Sequence, residues 1–104
     1  MVIRKGQLIT VKFISGVRYG IVISTEMFNS RLHRLFFVPA DQRYKRHELE
    51  VQSTLNGKVY TFQPEHLISI SDRILVSSSG QSSVELTEEI CKRVRLIMDL
   101  GLQS

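Results

Sequence analysis

The sequence predicts an α+β fold, in which a small, strongly curved antiparallel sheet or small barrel carries one packed helix at its C-terminal end. Three observations predict it. Residues 7–76 divide into short alternating or continuous apolar stretches separated by turn signals. Asn56-Gly57 stands between two of these stretches and is a strong hairpin signal, because both turn positions favour positive φ. Beyond residue 83 apolar residues recur at helical spacing. Strands in succession followed by a helix point to α+β rather than to a parallel α/β sheet. The 104 residues are expected to form one domain, 1–104, with one ordinary core.

The elements follow in order. Gln7–Phe13 alternates, with Ile9, Val11 and Phe13 on one face. Ser15-Gly16 is a turn, and Val17–Ser24 contains the continuous apolar run Ile21-Val22-Ile23, as in a strand covered on both sides. Gly20 within it signals a close backbone approach or a bulge. Ser24-Thr25 offers an N-cap for a helical turn, Glu26-Met27-Phe28. Leu35–Val38 is a third strand, stopped by Pro39. His47–Gln52 alternates, with Leu49 and Val51 inward, and Lys58–Phe62 returns from the hairpin. Leu67–Ile70 and Ile74–Val76 are short extended pieces. Ser77–Ser83, rich in Ser, Gly and Gln, reads as a loop. Thr87 is the expected N-cap of a helix over 86–100, with Leu86, Ile90, Val94, Ile97 and Met98 as its apolar stripe.

Composition removes several classes. With 42% hydrophobic and 23% charged residues the chain is neither disordered nor low-complexity. A single cysteine, Cys91, excludes an internal disulfide, and the three histidines show no metal-ligand spacing; no metal or other cofactor is expected. No apolar run reaches membrane-spanning length, and Met1–Gly6 lacks the apolar stretch of a signal peptide, so a cytoplasmic protein is expected. The net charge of +4 is unevenly spread. Residues 1–63 hold ten Lys/Arg against four Asp/Glu, while residues 64–104 hold four against six. A basic front half suits a polyanionic partner.

Common catalytic motifs are absent, and Cys91 reads as a structural thiol inside the helix. The stretch Pro39–Arg46 is a polar, basic loop. Arg43, Lys45 and Arg46 suit phosphates, and Tyr44 suits stacking on an unpaired base. Arg18 precedes a buried run, and Gln63-Pro64-Glu65-His66 interrupts two strands, where Glu65 and His66 could supply acid–base chemistry.

Five motifs in sequence carry a family resemblance. They are Gly6-Gln7-Leu8-Ile9; Arg18-Tyr19-Gly20-Ile21-Val22-Ile23-Ser24 with Phe28-Asn29; Phe37-Val38-Pro39-Ala40-Asp41-Gln42; Glu65-His66-Leu67-Ile68-Ser69-Ile70-Ser71; and Leu86-Thr87-Glu88-Glu89. In this order and spacing the chain resembles the MazF/PemK/Kid endoribonuclease toxins of bacterial toxin–antitoxin pairs, whose fold is shared by the gyrase poison CcdB. The resemblance implies an SH3-like, CcdB-like barrel, a two-fold homodimer, a cognate antitoxin protein and single-stranded RNA as substrate. It implies metal-independent cleavage by attack of a ribose 2′-hydroxyl on the adjacent phosphate. Arg18 matches the family's catalytic arginine, Asp41 stands at its threonine, Glu65 at an acidic position tied to cleavage, and Gln63 where some members carry a second arginine. Gln42, Arg43, Tyr44, Lys45, Arg46 and Gln63 are the expected RNA-binding residues. The chain departs from the family in Tyr19, which replaces a proline, in Asp41, and in the short 14–17 loop. Those departures keep a second reading open, a non-catalytic module on the same fold that binds nucleic acid or protein.

Overall fold

A computed structural model describes residues 2–102. In chain order these form β1 (Gln7–Phe13), β2 (Gly16–Val22), α1 (Glu26–Leu32), β3 (Arg34–Asp41), β4 (Val51–Leu55), β5 (Lys58–Phe62), β6 (Ile68–Ser71), β7 (Leu75–Gln81) and α2 (Val84–Leu102). Short 3₁₀ turns at Pro64–His66 and Asp72–Ile74 flank β6. Every strand pair is antiparallel, in the order β4-β5-β3-β2-β1-β7, and β6 also pairs with β3.

The curled sheet is buried on both faces. On one, Leu8, Ile21, Val38, Ala40, Val51 and Phe62 pack with Ile90 and Val94 of α2. On the other, Ile3, Ile9, Val11, Val22, Leu35, Phe37 and Ile70 form a second cluster, against which Phe13, Ile74 and Leu75 pack. Two-sided burial explains why Ile21-Val22-Ile23 is continuous rather than alternating. The Asn56-Gly57 turn has φ of 52° and 77°, the positive values that its residue types favour. Thr25 caps α1, accepting from the Phe28 N–H.

β3 is the strand around which the sheet divides. One edge pairs with β2 through Tyr19↔Ala40 to Val22↔Phe37. The other pairs first with β6, over Arg34–Phe37, and then with β5, over Ala40 and Asp41. Pro39 lies at the changeover, where its carbonyl accepts the Gln63 N–H at 2.9 Å. Proline has no N–H to leave unpaired there, so the gap between β6 and β5 strands no donor on that residue. Opposite Pro39 stands Gly20. A Cβ on Gly20 would lie 2.3 Å from the Val38 carbonyl oxygen and 2.6 Å from the Phe37 ring. This is the close approach that a glycine inside an apolar run signals.

Several boundaries differ from those expected. The third strand runs through Pro39 to Asp41, because β2 holds one edge while the proline faces the gap on the other. Residues 47–50 form a turn, and the strand begins only at Val51. Ser77–Gln81 is strand, paired to β1 with two register shifts. Its side chains lie at the sheet edge and are almost all exposed, so no apolar pattern marks it; backbone pairing alone makes it a strand. The last helix starts at Val84, capped by Ser83, whose hydroxyl accepts the Leu86 N–H. Thr87 lies within the first turn, buried, its hydroxyl donating to the Ser83 carbonyl at 2.9 Å. Beyond Val94 the helix overhangs the core, leaving Leu96, Met98, Leu100 and Leu102 exposed.

Gly20→Ala should destabilise the chain by about 1–3 kcal/mol, the usual cost of overpacking a fitted core. Gly101→Ala, where a Cβ meets nothing within 4 Å, should cost nothing. Urea unfolding of both variants checks this, and a Gly20→Ala protein as stable as the parent would refute the packing argument.

Candidate functional site

The gap between β5 and β6 opens into a cavity of about 450 Å³. Its lining comprises Phe13, Arg18, Phe37, Pro39, Asp41, Gln63, His66 and Ile68. Every polar member is placed by the split sheet. Arg18 sits on β2 and Asp41 ends β3. Gln63 follows β5, and His66 closes the 3₁₀ turn begun by Pro64, its N–H bonded to the Gln63 carbonyl at 2.9 Å.

Three of these side chains form one network. Arg18 Nη2 lies 3.3 Å from Asp41 Oδ1 and donates weakly to Gln63 Oε1 at 3.5 Å. Gln63 Nε2 donates to Asp41 Oδ2 at 2.7 Å. The Gln63 side chain is buried, which fixes its amide, whereas Arg18 and Asp41 are each about two-fifths exposed at 40% and 44%. Arg18 thus meets the cavity with a carboxylate already against it, in water-accessible surroundings that weaken the pair.

A second network holds the 42–50 loop. Arg43 donates two hydrogen bonds to the carboxylate of Glu50 and one to the Tyr44 carbonyl. Its Nε also lies 3.6 Å from Asp41 Oδ2. The Glu50 side chain is only 3% exposed and also accepts the Arg46 N–H at 2.8 Å. Thr61, fully buried, donates to the Arg43 carbonyl at 2.6 Å, tying the loop to β5. Arg93 of α2 donates to the Glu48 carbonyl at 2.6 Å from the other side. The hydrogen bonds from Arg43 hold the Glu50 carboxyl at about 2, against its ordinary 4.5, overcoming the opposing effect of burial. Burial pushes the Cys91 thiol up, consistent with a packed and unreactive side chain.

Glu65 belongs to neither the cavity lining nor the Arg18 network. Its Oε2 lies 2.8 Å from His47 Nε2, yet the ring is not aligned for a hydrogen bond, and both carboxylate oxygens are shielded from solvent without a donor. His47 Nε2 is also 3.6 Å from Glu50 Oε2.

By sequence alone the chain matches no family model and no curated protein. Comparison of folds is decisive. A MazE–MazF complex from Deinococcus radiodurans superimposes with a TM-score of 0.83 at 19% identity, over 94% of this chain and 96% of that one. The Mycobacterium tuberculosis toxin MazF-mt6 gives 0.77 at 12% identity, over 89% and 96%. An endoribonuclease in complex with its cognate antitoxin, from a mycobacterial species, gives 0.80 at 13% identity, over 98% of both chains. The chain has the MazF fold.

On this MazF-like scaffold the sequence-derived site residues fall into separate groups. Arg18, Asp41 and Gln63 come together at the cavity. Glu65 is drawn away to His47, and Arg43 is consumed by Glu50. Gln42, Tyr44, Lys45 and Arg46 are exposed on the loop, Tyr44 at 71%. His66, which the sequence offered with Glu65 for acid–base chemistry but the family resemblance did not include, lines the cavity together with Arg18. Its signal was its place one turn after Gln63, on the same proline-led break as Glu65.

Because Glu50 titrates lower in the folded chain than its ordinary 4.5, its stabilisation is complete above that range and lost as pH falls toward about 2. Glu50→Gln should lower stability at neutral pH by about 1–3 kcal/mol, through the buried hydrogen bonds it weakens. It should also flatten the loss of stability between those pH values. Thermal melts at stepped pH read both effects; a variant whose acid limb matches the parent's would remove Glu50 from the account.

Proposed function

We propose that this chain is the toxin of a bacterial toxin–antitoxin pair and cleaves single-stranded RNA in the cytoplasm without a metal in the reaction. The observation that carries the reading is Arg18 at the mouth of a cavity that also presents Asp41, Gln63 and His66, on a MazF fold. Attack of a 2′-hydroxyl on the adjacent phosphate builds negative charge on the phosphorane oxygens, and a preorganised guanidinium stabilises it. In this reading a substrate phosphate takes the place of Asp41 at Arg18, and Gln63 holds the displaced carboxylate. The attacking oxygen loses its proton to the site, the P–O5′ bond breaks, and the departing oxygen gains a proton. His66 lines the cavity, and its imidazole has one nitrogen to accept a proton and another to donate one. The products are a 2′,3′-cyclic phosphate and a free 5′-hydroxyl.

The geometry shifts the proposed roles relative to the sequence. Glu65 as base gives way to His66 or Asp41, because Glu65 does not line the cavity. Arg43 becomes a loop-positioning residue, its cation held by a buried carboxylate. Tyr44, Lys45 and Arg46, with Gln42, remain the proposed RNA-binding surface. The exposed Leu96, Met98, Leu100 and Leu102 on α2 support association with a second copy or with an antitoxin. Complexes with antitoxins among the fold neighbours support the latter partner. The contact of Asp41 with Arg18 favours the second reading, a module that binds without cutting, because it neutralises the cation that the chemistry needs.

Incubation with long single-stranded RNA in chelator separates the two. Cleavage with cyclic phosphate ends is expected, reduced about 10²–10³-fold in Arg18→Ala. If Asp41 only shields Arg18, Asp41→Thr should speed cleavage; if it is the base, the same change should slow it. A parent protein that binds RNA and never cuts it would establish the binding module instead.

Binding is expected to fall steeply with salt, by roughly 0.7 of a counterion per phosphate contact on a single strand. Lys45→Glu with Arg46→Glu should weaken it strongly, as read by fluorescence anisotropy. A flat salt response would reject that surface.

A further inference from the structure

Away from the cavity, His47, Glu50 and Glu65 bring three ligand-type atoms within 4.8 Å of one another. We propose that they form a binding site for one divalent transition-metal ion, with zinc as the representative of the class. The proposal does not rest on RNA cleavage.

The three donors lie near enough that a small movement of the His47 ring away from Glu65 would set them around one ion. A tetrahedral zinc ion with ligands at about 2.0–2.2 Å separates its donor atoms by roughly 3.3–3.6 Å. Here His47 Nε2 is 2.8 Å from Glu65 Oε2 and 3.6 Å from Glu50 Oε2. One imidazole nitrogen and two carboxylate oxygens are a donor set that zinc accepts, and they leave a fourth position for water.

Electrostatics adds a second, independent argument. Both Glu65 oxygens are shielded from water and accept no hydrogen bond among the described residues. A carboxylate so placed is costly unless a cation compensates it. Among the described residues its ion-pair partner is His47, a charge present only when the ring is protonated. A bound ion would supply a compensating charge beside these oxygens and take the imidazole nitrogen as a ligand. Glu50 is already held by Arg43 and the Arg46 N–H, but each carboxylate oxygen has two lone pairs, so Oε2 can serve Arg43 and an ion together. The charge of Arg43 opposes the ion, and Asp41 on its other side, 3.6 Å from Nε, partly offsets it.

The ligands come from two segments, the 42–50 loop and the Pro64–His66 turn. An ion there would clamp one to the other, fixing the turn that carries His66 to the loop that carries Tyr44, Lys45 and Arg46.

Calorimetric titration of the full chain with zinc alone tests the site. One ion per chain is expected to bind, with affinity weakened at least about 10-fold in His47→Gln and in Glu65→Gln. His33→Gln, which alters a histidine paired elsewhere with Asp72, should leave it unchanged. Nitrogen chemical shifts of the parent's imidazoles give a readout that needs no variant to fold: zinc should move His47 Nε2 and spare His33. Absence of saturable binding below millimolar zinc would overturn the proposal. So would unchanged affinity in both ligand variants, or zinc shifts confined to His33 or His66.

Discussion

The arrangement of this chain depends on β3 losing a backbone donor at Pro39. A strand in the middle of a sheet ordinarily holds one partner along each edge, because every N–H and carbonyl must be matched. At Pro39 that requirement relaxes, and β3 exchanges β6 for β5. The chain between those two strands has to leave the sheet plane, and it does so as the Pro64–His66 turn, anchored to Pro39 through the Gln63 N–H. The cavity is the space that this detour leaves. Gln63 and His66 reach it from the detour, Asp41 from the resumed strand and Arg18 from the neighbour across β3. On the opposite edge Gly20 lets β2 pass close to the Val38 carbonyl and the Phe37 ring.

Charge is distributed differently in space than along the chain. The front half is strongly basic by count, yet several of its cations are already paired: Arg4 with Glu26, Lys5 with Glu88, Arg18 with Asp41, and Arg43 with Asp41 and Glu50. The Arg43–Glu50 pair is largely withdrawn from water on its Glu50 side, and its worth lies chiefly in the penalty for separating its members. It fixes a loop that has no regular backbone pairing of its own. On the 42–50 loop, Tyr44, Lys45 and Arg46 stay exposed, and no ion pair engages Lys45 or Arg46 among the described residues.

The strands that bury side chains were legible in the sequence because packing imposes period and apolarity on them. β1 and β5 have the expected limits, and the Asn56-Gly57 turn has the expected backbone. Only the start of β7, Leu75 and Val76, was legible; Ser77–Gln81 was not, since an exposed edge strand of Ser, Gly and Gln is defined by hydrogen bonds to β1 and not by its side chains. The cap of α2 was displaced from Thr87 to Ser83 for a related reason: both residue types cap, and only the path of the chain out of β7 selects between them. At the site, Arg18, Asp41 and Gln63 were recoverable from motif order, but their mutual pairing was not. Glu65 and His66 are adjacent in sequence and part company in space, one directed to His47 and the other to the cavity. A 3₁₀ turn changes direction by about a third of a revolution per residue, so no sequence spacing could assign them to one site.

Asp41 makes the cavity an exchanger rather than a vacant receptor. Any anion arriving at Arg18 replaces a resident carboxylate, so the net electrostatic gain from a single small anion is slight. A longer ligand that also engaged Lys45, Arg46 and Tyr44 would gain interactions for which the described residues hold no competing carboxylate. Under the proposed function, selection would therefore be by length: an isolated phosphate ester is discounted at the first contact, and a polymer that reaches from the cavity to the loop recovers the loss.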